Sequence, residues 1–209
     1  GCGVYDGSEI HEAVLTLLAL DKAGAQIVCM APDMDQFHVI NHLDGKEEPE
    51  TRNVLKESAR IARGDIENLK NVSSKDLDAL IIPGGYGAAK HLSDFAIKGP
   101  DASVHPEVSR LLLELTAAKK PIGAICIAPA TLVKALSHQQ PKVTIGSDPG
   151  TASAITTMGG IHQTCSVEMI CVDEKNRIVS TPAYMLGPGI KEVSIGIEKL
   201  VNRIIAMIS

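Results

Sequence analysis

Apolar positions near the start of the chain recur at helical spacing. Ile10, Ala13, Val14, Leu17 and Leu18 fall three or four apart, and Gly24 follows the last of them. The spacing predicts an amphipathic helix stopped by glycine. Ser8 or Asp6 is expected to cap its start. A short apolar run, 27–30, then stops at Ala31-Pro32 and reads as a buried strand. Residues 33–52 are mixed and polar, an excursion from the core. A second helix is predicted over 52–62, with Val54, Leu55, Ala59 and Ile61 apolar and Gly64 after it.

Downstream the pattern sharpens. Ala79-Leu80-Ile81-Ile82 leads into Pro83-Gly84-Gly85, a strand ending in a tight turn. Residues 106–119 place Val108, Leu111, Leu112 and Leu115 on one helical face. Residues 121–126 read as a second strand, which runs straight into a helix over 128–136. Another short strand is predicted at 143–145. The runs 170–172 and 178–179 flank a polar turn and predict a hairpin. A closing helix puts Ile190, Val193, Ile197, Leu200, Val201, Ile204 and Ile205 on one face. Strands alternating with helices predict an α/β fold, a doubly wound, mostly parallel sheet with helices on both faces. With 209 residues, 44% of them hydrophobic, the chain is read as one domain, 1–209. Such a sheet normally opens with a strand, yet the first element here is a helix. The expectation is that one strand, ~6 residues, is missing before Gly1.

Composition narrows the function classes. Twenty Lys and Arg against 25 Asp and Glu give a formal net charge of −5, and only 2% of residues are aromatic. An acidic surface poor in stacking rings argues against nucleic acid as a partner. No apolar run has the length to span a bilayer, and no signal-peptide pattern is visible, so no membrane partner is expected. The five cysteines, at 2, 29, 126, 165 and 171, are odd in number and form no C-x-x-C. They read as reduced thiols in a reducing compartment. The expected location is the cytoplasm, or the mitochondrion if the source is eukaryotic.

Candidate chemistry centres on Cys126. A thiol at the C-terminal end of a buried parallel strand faces the crevice where such sheets bind ligands. The helix that follows offers free N–H groups and a partial positive charge, which predict a thiolate. The bland reading is an inert core cysteine. The strand–Cys–helix context favours a nucleophile elbow. Gly84-Gly85, at the end of another strand, offers backbone N–H groups for an oxyanion, or is simply a turn that needs glycine. Residues 84–90 do not match a phosphate loop, because Ala89 precedes Lys90 and His91 follows it. Glu9 and Glu12 lie three apart near the start of the first helix. Either can reach the thiol, or both only complement the helix dipole. His38 and His42 are four apart but lack a third ligand at metal spacing, so a solvated loop is expected. No metal or organic cofactor is expected.

Four stretches carry a resemblance: residues 1–12, with Ser8-Glu9-Ile10-His11-Glu12; Ile82-Pro83-Gly84-Gly85-Tyr86-Gly87-Ala88-Ala89-Lys90; Ile125-Cys126-Ile127-Ala128-Pro129-Ala130; and Thr181-Pro182-Ala183-Tyr184-Met185. The chain resembles the PfpI/DJ-one superfamily, which is similar to class I glutamine amidotransferase domains. Within it the likeness is to the enhancing-lycopene-biosynthesis, or sigma cross-reacting, group. The resemblance implies a flavodoxin-like sandwich with Cys126 as the reactive cysteine. It implies a glutamate of the first helix touching that cysteine. Counted from Gly24, Glu12 matches better and Glu9 is the rival. Gly84 and Gly85, with Ile127 after the nucleophile, are implied as the oxyanion and binding set. It also implies a homodimer.

Three departures from the pattern matter. Ile127 stands where PfpI-type members place a histidine, 181–184 contains no H-x-E, and Gly146 follows Val143-Thr144-Ile145 where a histidine is usual. They count against protease and glutaminase activity. The function the resemblance implies is a glutathione-independent, cofactor-free glyoxalase. It would convert a small aldehyde substrate, glyoxal or methylglyoxal, to a 2-hydroxy acid. The alternative is a non-catalytic binding or redox-sensing module in isoprenoid-related metabolism.

Overall fold

The computed structural model describes residues 1–208. In chain order the elements are α1 (Ile10–Lys22), β1 (Met30–Ala31), β2 (Val39–Ile40), β3 (Glu47–Glu48), α2 (Val54–Ile61), β4 (Glu67–Asn68), β5 (Leu80–Ile82), α3 (Phe95–Lys98), α4 (Pro106–Ala117), β6 (Ile122–Ile125), α5 (Ala128–Ala135), β7 (Lys142–Val143), α6 (Pro149–Thr157), β8 (Ile161–His162), β9 (Cys171–Asp173), β10 (Ile178–Thr181) and α7 (Ile190–Ile208). A π-helical turn, Ala88–Leu92, follows β5, and a 3-10 turn, Ala183–Met185, follows β10.

The central sheet has the order β5-β6-β10-β9. β5 and β10 flank β6 in parallel, and β9 closes the edge antiparallel. All four residues of β6 are buried, which explains its unbroken apolar run: a strand covered on both faces has no polar side. Val108, Leu111, Leu112 and Leu115 of α4 and Leu132 and Val133 of α5 pack on one face with Ile122. Val193, Ile197, Leu200 and Val201 of α7 pack on the other with Ile125 and Val179, and Leu15, Ala19 and Leu20 of α1 join them. Gly123 lets α7 come close, since a Cβ there would lie 2.9 Å from Leu200 Cδ2. The architecture is a flavodoxin-like α/β sandwich.

Several local expectations are corrected. The strand expected at 27–30 is only Met30–Ala31, paired parallel with β4. Residues 27–29 have no ladder toward β5. A groove of about 550 Å³ runs between them, lined by Ile27, Val28 and Met30 on one side and Leu80 and Ile81 on the other. The apolar set assigned to the inner face of α1 is split. Ile10, Val14 and Leu18 are 41%, 47% and 47% exposed, whereas Glu12 and Thr16 are buried. Periodicity marks stripes but does not say which of them faces the core. Neither Ser8 nor Asp6 caps α1. Glu9 is the cap and accepts from the Glu12 amide at 2.7 Å, while Asp6 accepts from the Ile40 amide at 2.8 Å. The helix α6 was not expected. Only Ile155 of its nine residues is buried, so it writes no apolar stripe, and Asp148 starts it by accepting from Thr151 at 2.7 Å. Ile190 of the closing helix is exposed rather than inward.

Candidate active site

β6 ends at Ile125 and α5 begins at Ala128, so the chain turns over Cys126 and Ile127. Cys126 has φ +62°, a left-handed conformation that costs a non-glycine residue energy and persists only where its surroundings impose it. Its amide donates to Thr181 O at 3.0 Å, at the end of β10. The groups that act on the sulfur are the Glu12 carboxyl and the Gly85 and Ile127 amides. A Cβ on Gly84 would lie 2.6 Å from Glu12 Oε2 and 2.9 Å from the sulfur, so both atoms face the same glycine. Cys126 is buried. Ile127 contributes its main chain here.

Glycine is needed at both positions of the facing turn. A Cβ on Gly84 would lie 2.4 Å from Cys126 Cβ and 2.6 Å from Glu12 Oε2. Gly85 has φ +87°, and a Cβ there would lie 2.4 Å from the Glu9 nitrogen. The turn is fastened to α1 by the Glu9 amide, which donates to Gly84 O at 3.0 Å.

Of the two glutamates, the fold brings Glu12 to the sulfur. Its side chain is fully buried. Oε2 accepts from the Gly84 amide at 2.8 Å, and Oε1 accepts from the Tyr184 amide at 3.2 Å. Burial pushes its carboxyl up to about 7, against the two amide bonds, and the charge of Glu9 pushes the same way. Glu9 itself uses Oε2 to cap α1.

The expected thiolate is corrected. Burial, and then the charge of Glu12, hold the Cys126 thiol well above its ordinary range, and the Gly85 and Ile127 amides do not outweigh them. Desolvation of a charge wins over one helix end. The resting site is therefore a protonated thiol beside a carboxyl that titrates near neutrality, so Glu12 can accept the thiol proton when the sulfur attacks.

Two further groups were not singled out as functional from the sequence. The Tyr184 hydroxyl is 2.7 Å from His11 Nδ1, and the same residue's amide holds Glu12. Only the motif around Tyr184 pointed there. His38, expected in a solvated loop, is half-buried instead: Lys90 Nζ lies 2.6 Å from its Nε2 and donates to Tyr5 O at 3.1 Å. Lys90 also sits over the Tyr86 ring, 4.5 Å from its centre. Among the described residues no group of three or more His, Cys, Asp or Glu side chains could hold a metal ion. No described helix is long and apolar enough to cross a membrane.

Known proteins share this arrangement of chain. The rat "ES1 protein homolog, mitochondrial" is 45% identical over 217 residues, covering 99% of this chain and 81% of the relative. The human "glutamine amidotransferase-like class 1 domain-containing protein 3, mitochondrial" is 46% identical over 217 residues, covering 99% and 80%. The crystal structure of an isoprenoid biosynthesis protein with amidotransferase-like domain from Ehrlichia chaffeensis superposes with a TM-score of 0.94. It has 40% identity and covers 100% of this chain and 96% of that one. The family model described as DJ-1/PfpI matches residues 3–183, a span that holds Glu12, Gly84, Gly85 and Cys126 together. With that match over most of its length, the chain belongs to the DJ-1/PfpI family.

Proposed function

We propose that the chain is a glutathione-independent glyoxalase, a lyase that converts glyoxal or methylglyoxal to a 2-hydroxy acid. The observation that carries the reading is the buried Glu12 carboxyl set beside the Cys126 sulfur across Gly84. The Cys126 sulfur adds to the aldehyde carbon, its proton passes to Glu12, and Glu12 hands that proton to the oxygen, which gives a hemithioacetal and leaves Glu12 a carboxylate again. The Gly85 and Ile127 amides, which act on the sulfur, would serve as donors to the oxyanion on the adjoining carbon. Glu12 then removes the proton from that carbon, and the electron pair moves to the second carbonyl as an enediol. Return of a proton to the second carbon leaves a thioester. Water cleaves its C–S bond, releasing the 2-hydroxy acid and the thiol. The sum is aldehyde plus water, with no oxidant or reductant required.

A turnover assay on purified protein, with and without glutathione, tests the reading. Activity without glutathione that disappears in Cys126→Ser is expected. Equal turnover in Cys126→Ser would overturn it.

A second reading, a binding or redox-sensing module, is favoured by one observation: Ile127 stands where a histidine partner would be. The buried, tightly protonated thiol points within that reading to binding rather than to redox sensing, which needs an accessible thiolate. The description of the Ehrlichia chaffeensis relative supports a setting in isoprenoid-related metabolism for that reading. The mitochondrial names of the mammalian relatives support a mitochondrial location if the source is eukaryotic, and the cytoplasm is kept for a bacterial source. The exposed stripe Ile10, Val14 and Leu18 supports a homodimer, since closed twofold dimers are the commonest assemblies.

A further inference from the structure

The turn after β10 is held in an unfavourable shape. Ala183 has φ +43°, a left-handed conformation in a residue with a Cβ. The turn closes on itself through Met185 N to Pro182 O at 3.0 Å and Leu186 N to Ala183 O at 3.1 Å. From it, Tyr184 reaches across to α1 twice. Its amide donates to Glu12 Oε1 at 3.2 Å. Its hydroxyl lies 2.7 Å from Nδ1 of His11, the residue just before Glu12, with the two rings 5.7 Å apart. One residue is thus fastened at both ends to adjoining residues of the same helix.

The two oxygens of Glu12 are held differently. Oε2 meets the Gly84 amide, which continues directly from the sheet. Oε1 meets an amide in a strained turn. The Tyr184 hydroxyl and His11 Nδ1 share one hydrogen bond, whichever of the two supplies the proton, and this bond ties the strained turn to the helix. The groups whose charge acts on this corner are Glu9 on α1 and Cys126 at the elbow, with Glu9 and Glu12 both acting on Tyr184.

We propose that the His11–Tyr184 hydrogen bond is a clamp that keeps the Tyr184 amide on Glu12, making His11 and Tyr184 positioning residues for the Glu12–Cys126 pair. The amide bond stabilises the charged carboxylate, while burial and the charge of Glu9 stabilise the protonated acid. Release of the clamp lengthens the amide bond and leaves the acid favoured. The inference rests on Glu12 and Cys126 forming the working pair, and not on which aldehyde they act upon.

The test follows the proton on Glu12 in the whole folded chain, without any substrate. The infrared carbonyl band of a buried carboxylic acid, identified by its loss in Glu12→Gln, is titrated against pH. Tyr184→Phe and His11→Leu should each move the midpoint upward by about one pH unit, the scale of one weakened bond to a charged group. The double variant should move it no further, because either change opens the same clamp. His11→Gln keeps both a donor and an acceptor for the hydroxyl and should restore the wild-type midpoint. His11 is exposed, so its substitutions leave the core packed even if Tyr184→Phe fails to fold. An unmoved midpoint in His11→Leu, additive shifts in the double variant, or no such band at any pH in the wild type overturns the clamp. Loss of the glyoxalase reading in the turnover assay leaves this measurement standing.

Discussion

The Gly84 amide donates to Glu12 Oε2 at 2.8 Å, and a Cβ on the same glycine would lie 2.6 Å from that oxygen. The glycine therefore does two things at once: it supplies a donor and leaves room for the acid. A Cβ there also collides with Cys126 Cβ at 2.4 Å. The Cys126 Cβ is fixed to the elbow backbone and cannot give way without moving it, and the Glu12 carboxyl can retreat only by giving up its bonds to the Gly84 and Tyr184 amides. Gly84→Ala should lower turnover by about 100-fold, the scale of a 1 Å misplacement of reacting groups. Circular dichroism should show the helices intact. Wild-type turnover in the variant contradicts the geometry described here.

Glu12→Gln should separate two properties that usually move together. Turnover should fall at least ~100-fold, because the base is lost. Alkylation of Cys126 by iodoacetamide at neutral pH should become faster, because the charge of Glu12 raises the thiol's proton affinity and the amide carries none. Glu9→Gln weakens a helix cap and should cost about 1 kcal/mol of stability with a smaller loss of turnover. Slower alkylation in Glu12→Gln, or a larger loss of turnover in Glu9→Gln, reverses the roles given to the two glutamates.

The pH dependence of stability follows from the same carboxyl. Its ordinary value is 4.5 and burial raises it to about 7 in the folded chain. The folded state then binds the proton more tightly than the unfolded one. That contribution is fully present below 4.5 and is lost as pH rises through about 7. The full change amounts to roughly 3 kcal/mol for this buried group. Urea unfolding at pH 5 and pH 8 should show the wild type losing stability relative to Glu12→Gln over that interval. A wild type that gains on the variant as pH rises contradicts the raised carboxyl. Turnover should move oppositely and rise through about pH 7 as Glu12 becomes available as a base.

The exposed stripe of Ile10, Val14 and Leu18 is the face on which the proposed homodimer would form. Light scattering at micromolar concentration should return twice the chain mass. Val14→Lys should return one chain mass, since a charge on the stripe opposes its burial. A wild-type monomer, or a dimer indifferent to Val14→Lys, removes this face from consideration.

The apolar pattern alone determined the strand–Cys126–helix elbow and the helices α4 and α7, because each buries a surface whose period is written into the chain. The 121–126 run was legible for the same reason: β6 is covered on both faces and has no polar alternation to confuse it. Helix α6 was not legible, since it buries a single large residue and its start depends on a hydrogen bond from Thr151 to Asp148.

The centre of the site was decided by the tertiary structure. Spacing alone left Glu9 and Glu12 as rivals, three apart near the start of one helix, and only the family count from Gly24 favoured Glu12. Packing of α1 against α7 and the Gly84-Gly85 turn made one of them a cap and buried the other against the sulfur. The state of the thiol was decided there too. A helix N-terminus is visible in sequence and argues for a thiolate, but the degree of burial and the distance to a second buried acid are not. Those two quantities set the proton's place, because the energy of a charge depends on everything that surrounds it in three dimensions.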